Sequence, residues 1–219
     1  MITFEQIKND PAVHIYIKKS DEALIALGYT EHSFAHVTRV SDTIGYILSK
    51  LNYPEREVEL GRIAGYLHDI GNTVNRVNHA MSGASMTFTL LNQMGGDPME
   101  IASIITAIGN HDEGTAVIVN HITAALILSD KTDVRRSRAR KQDFTVFDIH
   151  DRVNFSAIKS TLEINQAHTE IVLNLTIDTQ YCSVMDYFEI FLGRMLLCKK
   201  AAEKLGLIFR LVINEQHLM

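Results

Sequence analysis

Residues 55–71 read EREVELGRIAGYLHDIG, and this stretch decides the fold. Val58, Ile63, Ala64 and Leu67 recur at helical spacing, so Glu55 to His68 is expected to form a helix with one apolar face. The helix ends on an imidazole and a carboxylate, His68-Asp69, followed by Ile70-Gly71. Both polar side chains can therefore enter a pocket at the helix terminus.

On either side the chain keeps the helical period. Asp10-Pro11 opens a helix with a capping carboxylate and a proline at the first helical position, and the helix runs to Leu27 before Gly28 stops it. Ser33 caps a second helix through Leu51, which ends before Asn52-Tyr53-Pro54. Past a polar loop, Met81 to Met94 reads as helix, and Gly95-Gly96-Asp97-Pro98 is a break and restart. Met99 to Gly109 and His121 to Lys131 complete the helical set.

After about residue 143 the period changes to two. Ile171, Leu173, Leu175 and Ile177 alternate with Val172, Asn174, Thr176 and Asp178, the pattern of a half-buried strand. Val153 to Ile164 is its expected partner, joined by a hairpin at Asn165-Gln166-Ala167-His168. Met185 to Leu205 is an amphipathic helix closed by Gly206, and Leu207 to Ile213 is a last strand. The expected fold is thus α+β: an all-α helical bundle over residues 1–142 and a small ββαβ C-terminal domain over residues 143–219.

Bulk composition narrows the function. The chain has 219 residues, 46% hydrophobic and 21% charged, which suits a globular protein with a real core. No apolar run approaches the roughly 18 residues that a membrane span needs, and Met1-Ile2-Thr3-Phe4-Glu5 lacks the regions of a signal peptide. Cys182 and Cys198 lie in ordinary core sequence, so two free thiols in a reducing cytoplasm are expected. A net charge of −5 disfavours a nucleic-acid polymer as partner. An anionic substrate would need metal ions or a local basic cluster to meet it.

Ten histidines must be sorted. His-Asp occurs three times, and context separates the copies. His68-Asp69 and His111-Asp112 each end an apolar helix, whereas His150-Asp151 only precedes an expected strand and carries little weight. His36 lies near the start of one helix, His79 heads another, and Asp130 closes the apolar run Ala124-Ala125-Leu126-Ile127-Leu128-Ser129, where an unpaired carboxylate would be costly to bury. Singly, each could be a cap or a hydrogen-bonded surface group. Together, imidazoles and carboxylates at helix ends inside a bundle are what a di-metal centre requires, and their donors suit iron, with manganese or zinc as alternatives.

The ordered set His36, His68-Asp69-Ile70-Gly71, Asp130 resembles the H…HD…D signature of the HD-domain phosphohydrolase superfamily in its HDIG form. The segment His79-Ala80-Met81-Ser82-Gly83-Ala84 is similar to the second-metal histidine motif of its di-metal branches, which include the HD-type diadenosine tetraphosphate hydrolases and the cyclic-dinucleotide phosphodiesterases, and His111 matches their next histidine. The similarity covers roughly residues 30 to 140. It implies an HD-domain helical bundle that holds one or two divalent transition metals. By resemblance His36, His68, Asp69 and Asp130 would hold the first metal and His79 and His111 the second, with Asp69 bridging as the central catalytic carboxylate. The implied activity is phosphohydrolysis of a nucleotide, a dinucleoside polyphosphate or another small phosphate ester.

Two departures bear on the substrate. Asn72 stands where many relatives carry a lysine after HDIG. The text Asn110-His111-Asp112-Glu113-Gly114 lacks the Gly-Tyr-Pro of the cyclic-dinucleotide branch, which weakens that substrate class. Asp112 could be a ligand, a base, or a partner that orients an imidazole. A di-iron oxygenase and a non-catalytic metal- and nucleotide-binding regulatory module stand as alternative functions.

Lys131, Arg135, Arg136, Arg138, Arg140 and Lys141 follow Asp130 closely. They are either a solvated helix end that complements the dipole or a phosphate clamp. For the clamp, Arg135 and Arg136 are the candidates nearest the metal ligand, and Arg76 could replace the missing lysine. The C-terminal stripe Met185, Phe188, Phe191, Leu192 and Met195 reads as core or interface. The exposed strand edges of the tail could pair two subunits into a homo-oligomer or cover the mouth of the site.

Overall fold

The computed structural model describes residues 1–140, 147 and 149–219, with His150 described in its backbone alone. Lys141 and the expected domain boundary at residues 142 and 143 lie outside the described residues.

Nine helices and four strands are present among the described residues. The helices are α1 (Phe4–Lys8), α2 (Pro11–Ala26), α3 (Phe34–Lys50), α4 (Glu55–Leu67), α5 (His79–Gln93), α6 (Pro98–Gly109), α7 (His121–Lys131), α8 (Ile149–Ser156) and α9 (Val184–Lys204). Short 3-10 turns span Ile70–Thr73 and Arg136–Arg138. The starts follow local chemistry: Asp10, Ser33, Asp97 and Asn120 each accept backbone N–H groups of the first turn of α2, α3, α6 and α7.

α7 is the central helix. Thr123 through Ser129 are all buried, because α3, α4, α6 and α9 all lie against it. Two glycines bring the helix ends together. A Cβ on Gly65 would lie 2.6 Å from Ile44 Cδ1 and 3.1 Å from Ser41 Cα, so glycine lets the end of α4 settle onto α3. A Cβ on Gly71 would lie 2.0 Å from His79 O and 2.4 Å from Gly83 N, so the turn after His68-Asp69 can touch the start of α5 only as glycine.

The sheet has the order β1-β2-β3-β4, from β1 (Ala157–Ile164), β2 (Glu170–Ile177), β3 (Ile208–Ile213) and β4 (Gln216–His217). β1 and β2 form an antiparallel hairpin, β3 runs parallel to β2 after the α9 crossover, and β4 is antiparallel to β3. The α+β expectation and the ββαβ order stand. Four elements differ. Val153–Ser156 belongs to α8 rather than to the first strand, α5 begins at His79 rather than Met81, and α1 and β4 were unforeseen. In α9 the buried stripe is Tyr187, Phe191, Met195 and Cys198, while Met185 and Leu192 face outward.

The β1 edge is partly engaged by α3: Arg39 donates to Ser160 O and the Tyr46 hydroxyl accepts from Ile164 N. One buried core runs from Ile2 through Ile63, Ile108 and Leu126 to Phe191 and Leu211. Both cysteines are buried free thiols. No helix among the described residues is long and apolar enough to cross a membrane.

Candidate metal centre

The ends of α4, α6 and α7 and the starts of α3 and α5 meet at one point, and the six donors expected from the sequence meet with them. His36, His68, Asp69, His79 and His111 are all buried. Around Asp69 Oδ2 stand His68 Nε2 at 3.1 Å and His36 Nε2 at 3.7 Å. Asp130 Oδ1 is 3.4 Å from His36 Nε2 and 3.8 Å from His68 Nε2. On the other side, Asp69 Oδ1 is 3.6 Å from His79 Nε2, which is 3.3 Å from His111 Nε2. The two oxygens of one carboxylate thus face different imidazoles, His68 and His36 at Oδ2 and His79 at Oδ1.

Every imidazole is held by its far nitrogen. His68 Nδ1 donates to Gly65 O (2.8 Å), His111 Nδ1 to Ile108 O (2.6 Å) and His79 Nδ1 to Arg76 O (3.1 Å), while His36 Nδ1 donates to Asp133 Oδ2 (2.8 Å). Carbonyl and carboxylate oxygens only accept, so each Nδ1 carries the hydrogen and each Nε2 presents a lone pair to the site. Helix ends supply two of these acceptors, Gly65 O in α4 and Ile108 O in α6, since the last turn of a helix has unused carbonyls, while Arg76 O comes from the loop before α5.

This donor set fits metal ions. His36 Nε2, His68 Nε2 and Asp69 Oδ2 are buried, and none has a hydrogen-bond partner among the described residues. Three buried polar atoms left unsatisfied around one point would be costly. Ligand atoms about 2.0–2.2 Å from one cation stand roughly 3–3.5 Å apart, close to the spacings found here. His36, His68 and Asp130 offer ligand atoms mutually within 4.8 Å, and so do His68, Asp69 and His111.

Electrostatics agree with the geometry. Burial alone would raise the Asp69 and Asp130 carboxyls, but His68 beside Asp69, and Lys131 and His36 beside Asp130, hold both well below the usual carboxylate range. Burial, reinforced by nearby cationic groups, pushes His111 well down and His79 down, so both stay neutral donors. Burial also acts to lower His68, but Asp69 outweighs it and raises that imidazole.

Supporting residues absent from the sequence expectations now emerge. Buried Asp133 accepts from His36, from Arg39 Nε (3.0 Å) and from Arg135 Nε (2.9 Å). Burial would raise this carboxyl, but His36 and the Arg138 and Arg135 guanidiniums hold it far below the usual range. Asp133 falls three residues after Asp130, a spacing that marks one side of a helix end and could have signalled it. Asn72, in the place of the family lysine, donates to Asp69 O (2.9 Å) and Oδ1 (3.0 Å) and so fixes the carboxylate.

The centre opens into a cavity of about 270 Å³. Tyr29, Thr30 and His32 from the loop before α3 form one wall, and Asp151, Asn154, Phe191 and Arg194 from α8 and α9 form another. His32 was not foreseen. Its Nδ1 bonds Thr30 O (2.7 Å), and burial together with Arg138 pushes its basicity well down. His150-Asp151 carries little weight in the sequence, yet Asp151 is buried in the cavity wall because the segment forms α8; the His150 side chain lies outside the described residues.

The expected cations divide. Arg76 lines the cavity, with its guanidinium 5.2 Å from the Tyr29 ring centroid and Nη1 donating to Asn72 Oδ1 (3.3 Å). Asp112 lies 4.0 Å from His79 Nε2 and is about one-third exposed. Arg135 and Arg136 do not line the cavity. Arg135 is spent on Asp133 and Glu31, and Arg136 turns away to Phe155 O and Asp178, stacked 4.5 Å over the Phe155 ring. Lys131 and Arg138 reach the cavity instead. Lys131 pairs with Asp130 Oδ2 (2.7 Å), and Arg138 bonds Glu31 O and Asp133 O. The basic run is mainly a brace for the loop that carries His32.

No curated protein matches the chain. A crystal structure at 1.45 Å of a predicted HD superfamily hydrolase from an uncultured Thermotogales bacterium is similar at 24% identity, covering 62% of this chain and 75% of that one, with a TM-score of 0.43. A match to the HD domain spans residues 33–189 and contains all six converging donors. On that match the chain belongs to the HD-domain family, a superfamily of metal-dependent phosphohydrolases.

Proposed function

We propose that this protein hydrolyses a small phosphate ester, of the nucleotide or dinucleoside polyphosphate class, at a two-metal centre. The observation that carries the reading is the Asp69 carboxylate, whose two oxygens face different imidazoles. His36, His68 and Asp130 with Asp69 Oδ2 would hold one divalent transition metal, and His79 and His111 with Asp69 Oδ1 the other. Iron is the first choice for this mixed imidazole and carboxylate set, with manganese or zinc as alternatives. When bound, such cations acidify water and screen phosphate charge.

The chain's own residues do the rest. Asp69, fixed by Asn72, keeps the two donor groups in register. Arg76, Lys131 and Arg138 bring positive charge to the cavity, and Arg76, held by a 3.3 Å bond to Asn72, binds phosphate oxygens. Tyr29 and Phe191 give an apolar surface for the organic part of the ester and exclude water from it. Hydrolysis joins the water oxygen to phosphorus, breaks the bond from phosphorus to the ester oxygen and returns a proton to the leaving oxygen. Neutral His32 in the cavity wall, and Asp112 beside His79, carry protons.

The test is elemental analysis of the purified protein together with a phosphate-release screen over phosphomonoesters, nucleotides and dinucleoside polyphosphates with added Fe, Mn or Zn. Release that depends on metal and vanishes in Asp69→Asn supports the reading. A protein that binds no metal and releases no phosphate with any of the three refutes it.

A further inference from the structure

Arg194 stands in the cavity wall on α9, beyond residue 189 where the HD-domain match ends. Its Nε donates to Glu113, two positions after His111, and its guanidinium carbon lies 4.6 Å from the Phe191 ring centroid. Nη1 and Nη2 have no hydrogen-bond partner among the described residues. Two of the other cavity cations, Lys131 and Arg138, are committed more firmly. Buried Lys131 neutralises Asp130, and Arg138 is pinned by two backbone carbonyls. Arg194 and Glu113 are 32% and 36% exposed, so solvent screens their attraction, and Glu113 can lose its partner without becoming an uncompensated buried charge.

We infer that Arg194 is a substrate-binding residue, which leaves Glu113 and closes its guanidinium fork on phosphate oxygens while resting on the Phe191 ring. A phosphate dianion matches the fork better than one carboxylate oxygen on a single nitrogen. Glu113 is then a competitor for Arg194, and the C-terminal segment contributes directly to substrate affinity. The inference rests on the phosphohydrolase reading.

The probe is inorganic phosphate, the product of the proposed reaction, titrated calorimetrically into metal-loaded wild type, R194A, R194K and E113Q. R194A is expected to bind phosphate about tenfold more weakly, R194K to fall between it and wild type, and E113Q to bind more tightly, with metal content and melting temperature unchanged in all. The opposite signs of R194A and E113Q are decisive, because a purely structural ion pair would make both variants worse. Wild type that binds phosphate while R194A and E113Q shift together, or not at all, overturns the role of Arg194 alone. Wild type that binds metal but no phosphate overturns the phosphohydrolase reading as well.

Discussion

Replacing Asp133 with asparagine tests how the centre is held, because this residue touches no expected ligand position except through His36 Nδ1. The substitution keeps shape and removes one negative charge. That charge is 1% exposed and faces Arg39, Arg135 and Arg138, whose side chains are 46%, 19% and 7% exposed. Breaking a fully buried ion pair costs about 3–5 kcal/mol. Two of these arginines reach solvent, so about 2–3 kcal/mol is expected here, against a typical total near 5–15 kcal/mol. The protein stays folded, and Tm falls by roughly 4–12 °C. The larger signal is in metal affinity. An imidazole that donates to a carboxylate is a stronger ligand and is locked in one tautomer, and losing such a partner typically weakens metal binding about 10- to 100-fold. Competition of Asp133→Asn and wild type against a chelator of known affinity measures this directly. Unchanged metal affinity alongside a lowered Tm would show that Asp133 is only a structural anchor, and the reasoning would fail.

Other expectations follow from the same geometry. His32, His79 and His111 sit below the usual 6.5, so unfolding takes up protons in acid and their contribution to stability is lost as pH falls below about 6.5. His68, which is raised, contributes the other way, but it is outnumbered. Metal-free protein should therefore denature at lower urea near pH 5 than near pH 7, and a midpoint that rises in acid would contradict the assigned protonation states. Gly71→Ala forces a methyl against the backbone of α5, at a cost of about 3 kcal/mol or more, and should empty the His79–His111 side first; full metal content with wild-type stability would refute the close packing. Arg136→Ala should leave kcat/KM unchanged and lower stability by about 1 kcal/mol. Arg135→Ala, by loosening Asp133, should weaken metal binding with little change in KM, and a raised KM with full metal would return Arg135 to the substrate.

Much of this was legible locally. Asp10, Ser33 and the Asp97-Pro98 restart mark helix starts because a cap is a contact within four residues, and the six donors could be picked out because each closes or opens an apolar helix. What escaped was set by tertiary contact. Asn78, just before α5, takes a left-handed backbone and offers no side-chain cap, so no capping signal marks the helix as starting at His79 rather than Met81. Val153 and Phe155 alternate as a strand would, yet packing against α9 and the Arg136–Arg138 turn keeps them helical. Arg135 and Arg136 were chosen by nearness in sequence to Asp130. Direction decided otherwise, and Lys131 and Arg138 face the cavity while the chosen pair faces Asp133 and Phe155. Arg194 lies 81 residues from the Glu113 it meets, a separation no local pattern reports.

The central claim is that one carboxylate organises two metal positions, and metal stoichiometry tests it most directly. Elemental analysis of metal-saturated wild type, His79→Ala and Asp69→Ala, each with a folded circular-dichroism spectrum, should give about two, one and zero metal ions per chain, as the two donor groups sharing Asp69 require. Equal stoichiometry in wild type and His79→Ala, or metal retained by Asp69→Ala, would contradict it.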